Sequence, residues 1–301
     1  MSEAMTYRRL METSQRVAWR VEDVIGGRMD FSRPFLPESF ARTCELPFLT
    51  PPERLKLNQI RAYGYLCMFE LVERCILPHI NEHVPSEPGQ DQFRSPALAQ
   101  FAAEEEKHIE LFVRFRDEFR RDFEVDCGFI GPAEQIGAAI RDHSALALSI
   151  FVLGIEWATQ RHYLESIRDD ASLDPQFKSL LKHHWLEESQ HAKLDALMFF
   201  EMAQRSSAED VAAAIEEFLD IGGFIDAGLK QQAQLDLTSL EAAIGRTLPE
   251  DQREAFLAAQ HQAMRWTFLG SALVNKGFLE ALGQVSPQAR SRIEHVAPAF
   301  C

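Results

Sequence analysis

The stretch His184-Trp185-Leu186-Glu187-Glu188-Ser189-Gln190-His191 decides how this 301-residue chain is read. It contains the pair Glu188-x-x-His191, and a second such pair, Glu105-x-x-His108, stands earlier in the chain. With 30 Glu in the chain, about one Glu-x-x-His among its ten histidines is expected by chance, so placement matters more than number. Each pair falls in the middle of a long helical stretch. At about 100° per residue, positions i and i+3 share one helix face.

The helices around these pairs are marked by their start and stop signals. Thr50-Pro51-Pro52-Glu53 is a capping box with proline at the first helical position, and the helix it opens is expected to run to about Leu77, where Pro78 stops it. Ser95-Pro96 opens a second helix, which passes through Ala103, Leu111 and Phe115 towards Phe123. After the break from Gly128 to Pro132, a third carries Ile136, Ala139, Leu146, Ile150, Leu153 and Tyr163. Asp174-Pro175 opens a fourth, expected to end near Ala203. Ser207 caps a fifth helix, interrupted at Gly222-Gly223, and Pro249-Glu250-Asp251 starts a sixth that reaches about Leu282. No run alternates Val, Ile or Thr as a strand would. The expectation is one all-α domain over 1–301: a four-helix bundle over about 50–203, further helices over 207–298, and a first 48 residues that wrap the bundle.

The first and third helices each carry carboxylates where an apolar face belongs. In the first, Tyr63, Leu66, Glu70, Glu73 and Leu77 share a stripe, and in the third, Glu156 follows the apolar run from Ala145 to Ile155. A carboxylate in a dry core is costly unless it is paired or bound to metal. Across four successive helices the order is Glu, Glu-x-x-His, Glu, Glu-x-x-His, the ligand set of a carboxylate-bridged di-metal bundle. Glu70 precedes Glu105 by 35 residues and Glu156 precedes Glu188 by 32, which favours Glu70 over Glu73 as the first ligand; hairpin loop length is not fixed, so Glu73 stays as the alternative. Four carboxylates offset most of the charge of two divalent ions, and imidazoles add neutral nitrogens. Closed tetrahedral zinc needs fewer ligands and often Cys. Oxygen-rich coordination favours iron or manganese, and iron is the choice.

This pattern resembles the ferritin-like di-iron carboxylate superfamily over roughly Thr50 to Ala203. His184, one turn before Glu188 and on the same face, makes the chain most similar to the arylamine (p-aminobenzoate) N-oxygenase family. That resemblance implies seven protein ligands: Glu70, Glu105, His108, Glu156, His184, Glu188 and His191. It also implies two iron ions, O2 as co-substrate, and oxygen transfer to the nitrogen of an aromatic amine, giving hydroxylamine, nitroso or nitro products. No side chain beyond the ligands need act catalytically. The expected partners are a small-molecule substrate, an external electron donor such as a ferredoxin or reductase, and in some cases a second copy of the chain. Three other readings stand beside it: a di-iron C–H oxygenase of another small or carrier-bound molecule, a non-catalytic ferritin-like iron-binding protein, and a metal-free helical interaction scaffold.

Other features have plainer readings. His183 and Glu187 point to other helix faces and read as surface residues. Trp157, Trp185, Tyr63 and Tyr163 read as packing, as do Met264, Trp266, Phe268 and Leu269, which with the third helix are also candidates to line a pocket. The four arginines of the run Arg114 to Arg121 suit an acidic electron donor less well than a solvated face with local ion pairs. A net charge of −15 argues against nucleic acid and anionic membrane surfaces as partners. The first twenty residues lack the apolar run of a signal peptide, and no stretch is long enough to span a bilayer. Five scattered cysteines with no C-x-x-C pair read as reduced thiols of a cytoplasmic protein.

Overall fold

Thr50 begins the first long helix as its capping box requires. Its backbone N–H donates to Glu53 Oε2 at 2.8 Å, and Pro51 takes the first helical position, where a missing N–H costs nothing. The computed structural model describes residues 6–25, 28–85, 89 and 91–301. Three short N-terminal helices, α1 (Tyr7–Val17), α2 (Val21–Val24) and α3 (Glu38–Ala41), come before α4 (Pro51–His83). Then follow α5 (Arg94–Asp122), α6 (Ala133–Arg141), α7 (Ala145–Arg161), α8 (Pro175–Gln204) and α9 (Ala208–Ile244). The C-terminal part adds α10 (Glu250–Arg265), α11 (Ser271–Leu273), α12 (Lys276–Val285) and α13 (Pro287–Val296). No strand occurs among the described residues. The fold is all-α: a four-helix bundle of two hairpins, α4 with α5 and α7 with α8, carrying additional C-terminal helices. Among the described residues, no helix is long and apolar enough to cross a membrane.

Four helix boundaries correct the sequence reading. Pro78 lies inside α4, which continues to His83. The missing hydrogen bond costs about 3 kcal/mol, but Ile76, His79 and Ile80 around it are all buried, and that packing holds the helix together. The expected third helix is two: α6 ends at Arg141, and Ser144 starts α7 afresh by accepting the Ala147 N–H at 3.2 Å. Gly222-Gly223 does not interrupt α9, which runs unbroken for 37 residues. The sixth helix ends at Arg265, and a π-helical turn over Trp266–Gly270 and a break before Asn275 separate it from α12.

Packing sorts the bundle into layers along its axis. On α5, Leu98 and Phe101 lie in one apolar cluster and Leu111, Phe112 and Phe115 in another, with Glu105 and His108 between them. On α8, Phe177, Leu180 and Leu181 belong to the second cluster and Leu194 and Met198 to the first, with His184, Glu188 and His191 between. Each Phe or Leu buried in these layers contributes about 1.5–3 kcal/mol. The polar residues therefore form a belt closed above and below by hydrocarbon. The N-terminal segment does lie across the bundle. α1 rests on α5 and α8, and its Tyr7 hydroxyl donates to Glu201 Oε1 on α8 at 2.9 Å.

Candidate metal centre

Seven side chains from four helices converge inside the belt: Glu73 from α4, Glu105 and His108 from α5, Glu156 from α7, and His184, Glu188 and His191 from α8. None is more than 3% exposed. Helix geometry brings them together. Glu105 and His108 are i, i+3, and His184, Glu188 and His191 follow at i, i+4, i+7, so each set faces inward from one helix.

The contacts are dense. Glu188 Oε1 lies 2.9 Å from both His108 Nδ1 and His184 Nε2. Glu73 Oε1 is 3.2 Å from His184 Nε2, and Glu105 Oε2 is 3.1 Å from His108 Nδ1. Glu105 Oε1 and His191 Nδ1 are 3.0 Å apart, yet neither forms a hydrogen bond of acceptable angle. Glu73 Oε2, Glu156 Oε2 and Glu188 Oε1 are likewise buried without a hydrogen-bond partner. Two sets of ligand atoms, from Glu73, His108, His184 and Glu188 and from Glu105, His108, Glu188 and His191, each lie within 4.8 Å of one another. Buried donors and acceptors that crowd together without pairing are aimed at a common third point.

Electrostatics points the same way. Burial, and then the charges of Glu105 and Glu188, push the Glu73 carboxyl well above its ordinary range. Burial, and then the charge of Glu188, do the same to Glu156. Burial disfavours charge on His108, but its bonds to Glu105 and Glu187 and the nearby Glu188 carboxylate outweigh that and raise its pKa. Burial also opposes charge on His191, and Glu105 and Glu188 overcome it. Four carboxylates in hydrocarbon need about four positive charges nearby. Protons can supply them, and two divalent cations would replace those protons. The donor set, carboxylate-rich with imidazole nitrogens and no thiolate, fits iron or manganese.

Glu70 is not in this cluster. Its carboxylate pairs with Arg74 Nε at 3.1 Å and with Arg116, at the rim of the bundle. The 35-residue spacing to Glu105 is misleading because α4 passes through Pro78 and is longer than its sequence suggests, which carries the belt one turn further along.

Glu187 was read as a surface residue; it is fully buried. His108 Nε2–H donates to Glu187 Oε2 at 2.9 Å, and Lys107 pairs with the other oxygen of Glu187. Glu104, which the sequence reading passed over, does the same for His191, whose Nε2–H donates to Glu104 Oε2 at 2.9 Å. Ser14 of α1 donates to Glu104 Oε1, joined by Gln100 at 3.0 Å. Trp19 stacks on the His108 ring at 6.0 Å, beneath the Lys107 ammonium, which is 4.1 Å from the indole centroid. Carboxylates that fix the outer nitrogen of a histidine turn its other nitrogen toward a metal and raise its basicity. Asp195, one turn beyond His191, is a further buried carboxyl, with Oδ2 unpartnered. The available signal for the two outer carboxylates was the repeated doublet Glu104-Glu105-x-x-His108 and Glu187-Glu188-x-x-His191.

Of the other expected features, Phe268 and Leu269 line cavities beside α7, whereas Met264 is buried in the core. The arginine run is engaged locally: Arg116 with Glu70, Arg121 with Asp122, and Arg120 over the Tyr63 ring.

No family model matches the chain, and no curated protein matches it. Among solved structures it is similar to point mutants of an R2-like ligand-binding oxidase. One, with an aerobically reconstituted Mn/Fe cofactor, is 14% identical with a TM-score of 0.43, covering 87% of this chain and 93% of that one. Another, with anaerobically reconstituted Mn/Fe, is 15% identical with the same TM-score and coverage. A third, with a non-activated Mn/Mn cofactor, is 16% identical with a TM-score of 0.43. Similarity at this level assigns neither metal nor substrate to the present chain.

Proposed function

We propose that this chain is a di-iron oxygenase whose centre is held by Glu73, Glu105, His108, Glu156, His184, Glu188 and His191. The observation that carries the reading is the set of unpaired carboxylate and imidazole atoms facing one another in a dry belt. When bound, the two irons supply the redox chemistry that activates O2 and inserts oxygen into a substrate. The protein supplies the rest. Glu104 and Glu187 orient the two Glu-x-x-His histidines, and the apolar layers exclude water. Reducing equivalents come from an external donor, such as a ferredoxin or a reductase.

Within this class the proposed reaction is N-oxygenation of an aromatic amine. Its support is His184, whose Nε2 lies among the ligand atoms, 3.2 Å from Glu73 and 2.9 Å from Glu188. A second reading, C–H oxygenation of another small molecule, draws on the apolar cavity beside α4 and α7.

The test is to quantify metals, reduce the protein without oxygen, and follow the visible spectrum as O2 is added. About two irons per chain, and a transient band that decays faster with aryl amines, support N-oxygenation. A transient indifferent to amines moves the chain to the second reading. Absence of bound metal after Fe(II) is offered removes both. Replacing His184 with Ala separates the finer claim, since unchanged metal spectra would leave a six-ligand centre.

A further inference from the structure

Three cavities meet between α4, α6, α7, α9 and the Trp266–Gly270 turn. The largest has a volume of about 450 Å³, within the range of small-molecule sites, and the other two are about 40 and 190 Å³. Phe151 and Ile225 line all three, so the cavities adjoin across shared walls. The smallest reaches Phe69, whose ring meets the His184 ring edge-on at 5.3 Å. Val72 and Ile155 also line it, and they are the chain neighbours of Glu73 and Glu156. At the outer end, Phe224 stands 44% exposed at the rim.

The chemistry of the walls restricts what can enter. Among the described residues, no Asp, Glu, Lys or Arg lines the two cavities nearest the centre. Arg292 at the edge of the third is already held by Glu216, with contacts of 2.8 and 2.9 Å. The inner polar groups are committed as well. Thr159 donates to the Ile155 carbonyl at 3.1 Å and Thr267 to that of Ala263 at 2.9 Å. Ser271 gives its hydroxyl hydrogen to the Thr267 carbonyl at 2.7 Å, so its oxygen accepts from His162 Nε2–H at 2.9 Å. That leaves His162 Nδ1 to accept from the Tyr65 hydroxyl at 3.1 Å, and both ring nitrogens are used. Among the described residues, the side chains left to a polar group are Gln135 and Gln231, exposed at the mouth, and the weakly donating thiol of Cys75. A carboxylate drawn inside would lose its water and find no partner.

We infer that this group of adjoining cavities is the substrate site of the proposed oxygenase, and that it takes an uncharged, largely apolar molecule and refuses a carboxylate-bearing one. Phe69 is the wall across which the reacting end meets the centre. The inference rests on the oxygenase reading and narrows its substrate to amines in neutral form without an acid group.

The experiment is calorimetric titration of the metal-loaded protein near neutral pH with two probes, 4-butylaniline and 4-aminobenzoate. Two variants fill the space from different helices, Ala139→Trp on α6 and Ile225→Trp on α9. Ala139 is partly exposed at the wall, so the first of these leaves the core intact. The butyl compound is expected to bind at least about tenfold more tightly than the acid, and each variant to weaken it by about tenfold or more, with metal content unchanged. Equal or tighter binding of 4-aminobenzoate overturns the inference, as does undiminished binding by both variants. The titration is repeated on protein stripped of metal. Binding there, in a chain that never takes up iron, would sink the oxygenase reading while leaving the cavity's selectivity standing.

Discussion

Glu187 on α8 takes the outer nitrogen of His108 on α5 at 2.9 Å, and Glu104 on α5 returns the arrangement to His191 on α8. Each Glu-Glu-x-x-His helix thus uses its second glutamate in the centre and its first to orient the histidine of the other helix. The two helices are cross-braced through the residues that would hold metal. Replacing Glu104 or Glu187 with Ala is expected to weaken iron affinity by roughly 10–100-fold while the helical circular dichroism persists. Competition against a chromophoric chelator measures this. Ser14→Ala, one bond further out, should show a smaller loss in the same direction, and wild-type affinity in all three variants would mean that packing alone orients the rings.

Glu73 and Glu70, one turn apart on α4, should behave oppositely. Glu73→Gln removes a carboxylate from the cluster and is expected to lower iron content below about two per chain. Glu70→Gln breaks only the pairs with Arg74 and Arg116 and should leave iron content intact, at a cost of about 1 kcal/mol or less. Elemental analysis of the two proteins decides, and a reversed result would return the ligand role to Glu70.

The start of α4 gives a pH-dependent prediction. Arg246 donates to Glu53 at 2.7 and 3.1 Å, and that bond, with those from Thr50, lowers the Glu53 pKa from 4.5 to about 2. A carboxyl depressed in the folded protein stabilises it above the unfolded pKa and loses that contribution as pH falls. Glu53→Gln should therefore cost about 1 kcal/mol near neutrality, and its difference from wild type should shrink as pH falls from about 4.5 towards 2. Paired thermal melts across that range check the sign.

Gly222 and Gly223 sit in the middle of α9, and a Cβ at either position would meet nothing within 4 Å. Alanine there restores helix propensity without a clash, so Gly222→Ala and Gly223→Ala should each stabilise the protein by about 0.5–1 kcal/mol. Urea denaturation would detect it. A loss of stability would mean that the helix needs a bend at this point.

Much of the bundle was legible because its signals are local. Thr50-Pro51, Asp174-Pro175 and Ser207 start helices through bonds made within one turn, and Glu105, His108, Glu188 and His191 share faces by helical arithmetic alone. Other features depend on neighbours that a single helix does not reveal. Pro78 is tolerated because α4 is packed around it, and Gly222-Gly223 because α9 is held at both ends by partners. The choice between Glu70 and Glu73 turned on how far α4 extends. Glu187 was misread because its helix face seemed free, when that face is covered by α5 and by Lys107.

The N-terminal segment adds a matter of timing. Its first helix is made first, yet Ser14 needs Glu104, 90 residues on, and Tyr7 needs Glu201, 194 residues on. At ordinary synthesis rates α1 waits on the order of ten seconds or more before its seat exists. Closing so long a loop is also slow compared with pairing adjacent helices. The two hairpins can therefore assemble while the groove between α5 and α8 is still uncovered. That interval leaves Glu104, the carboxylate that holds His191, open to solvent on a nascent chain.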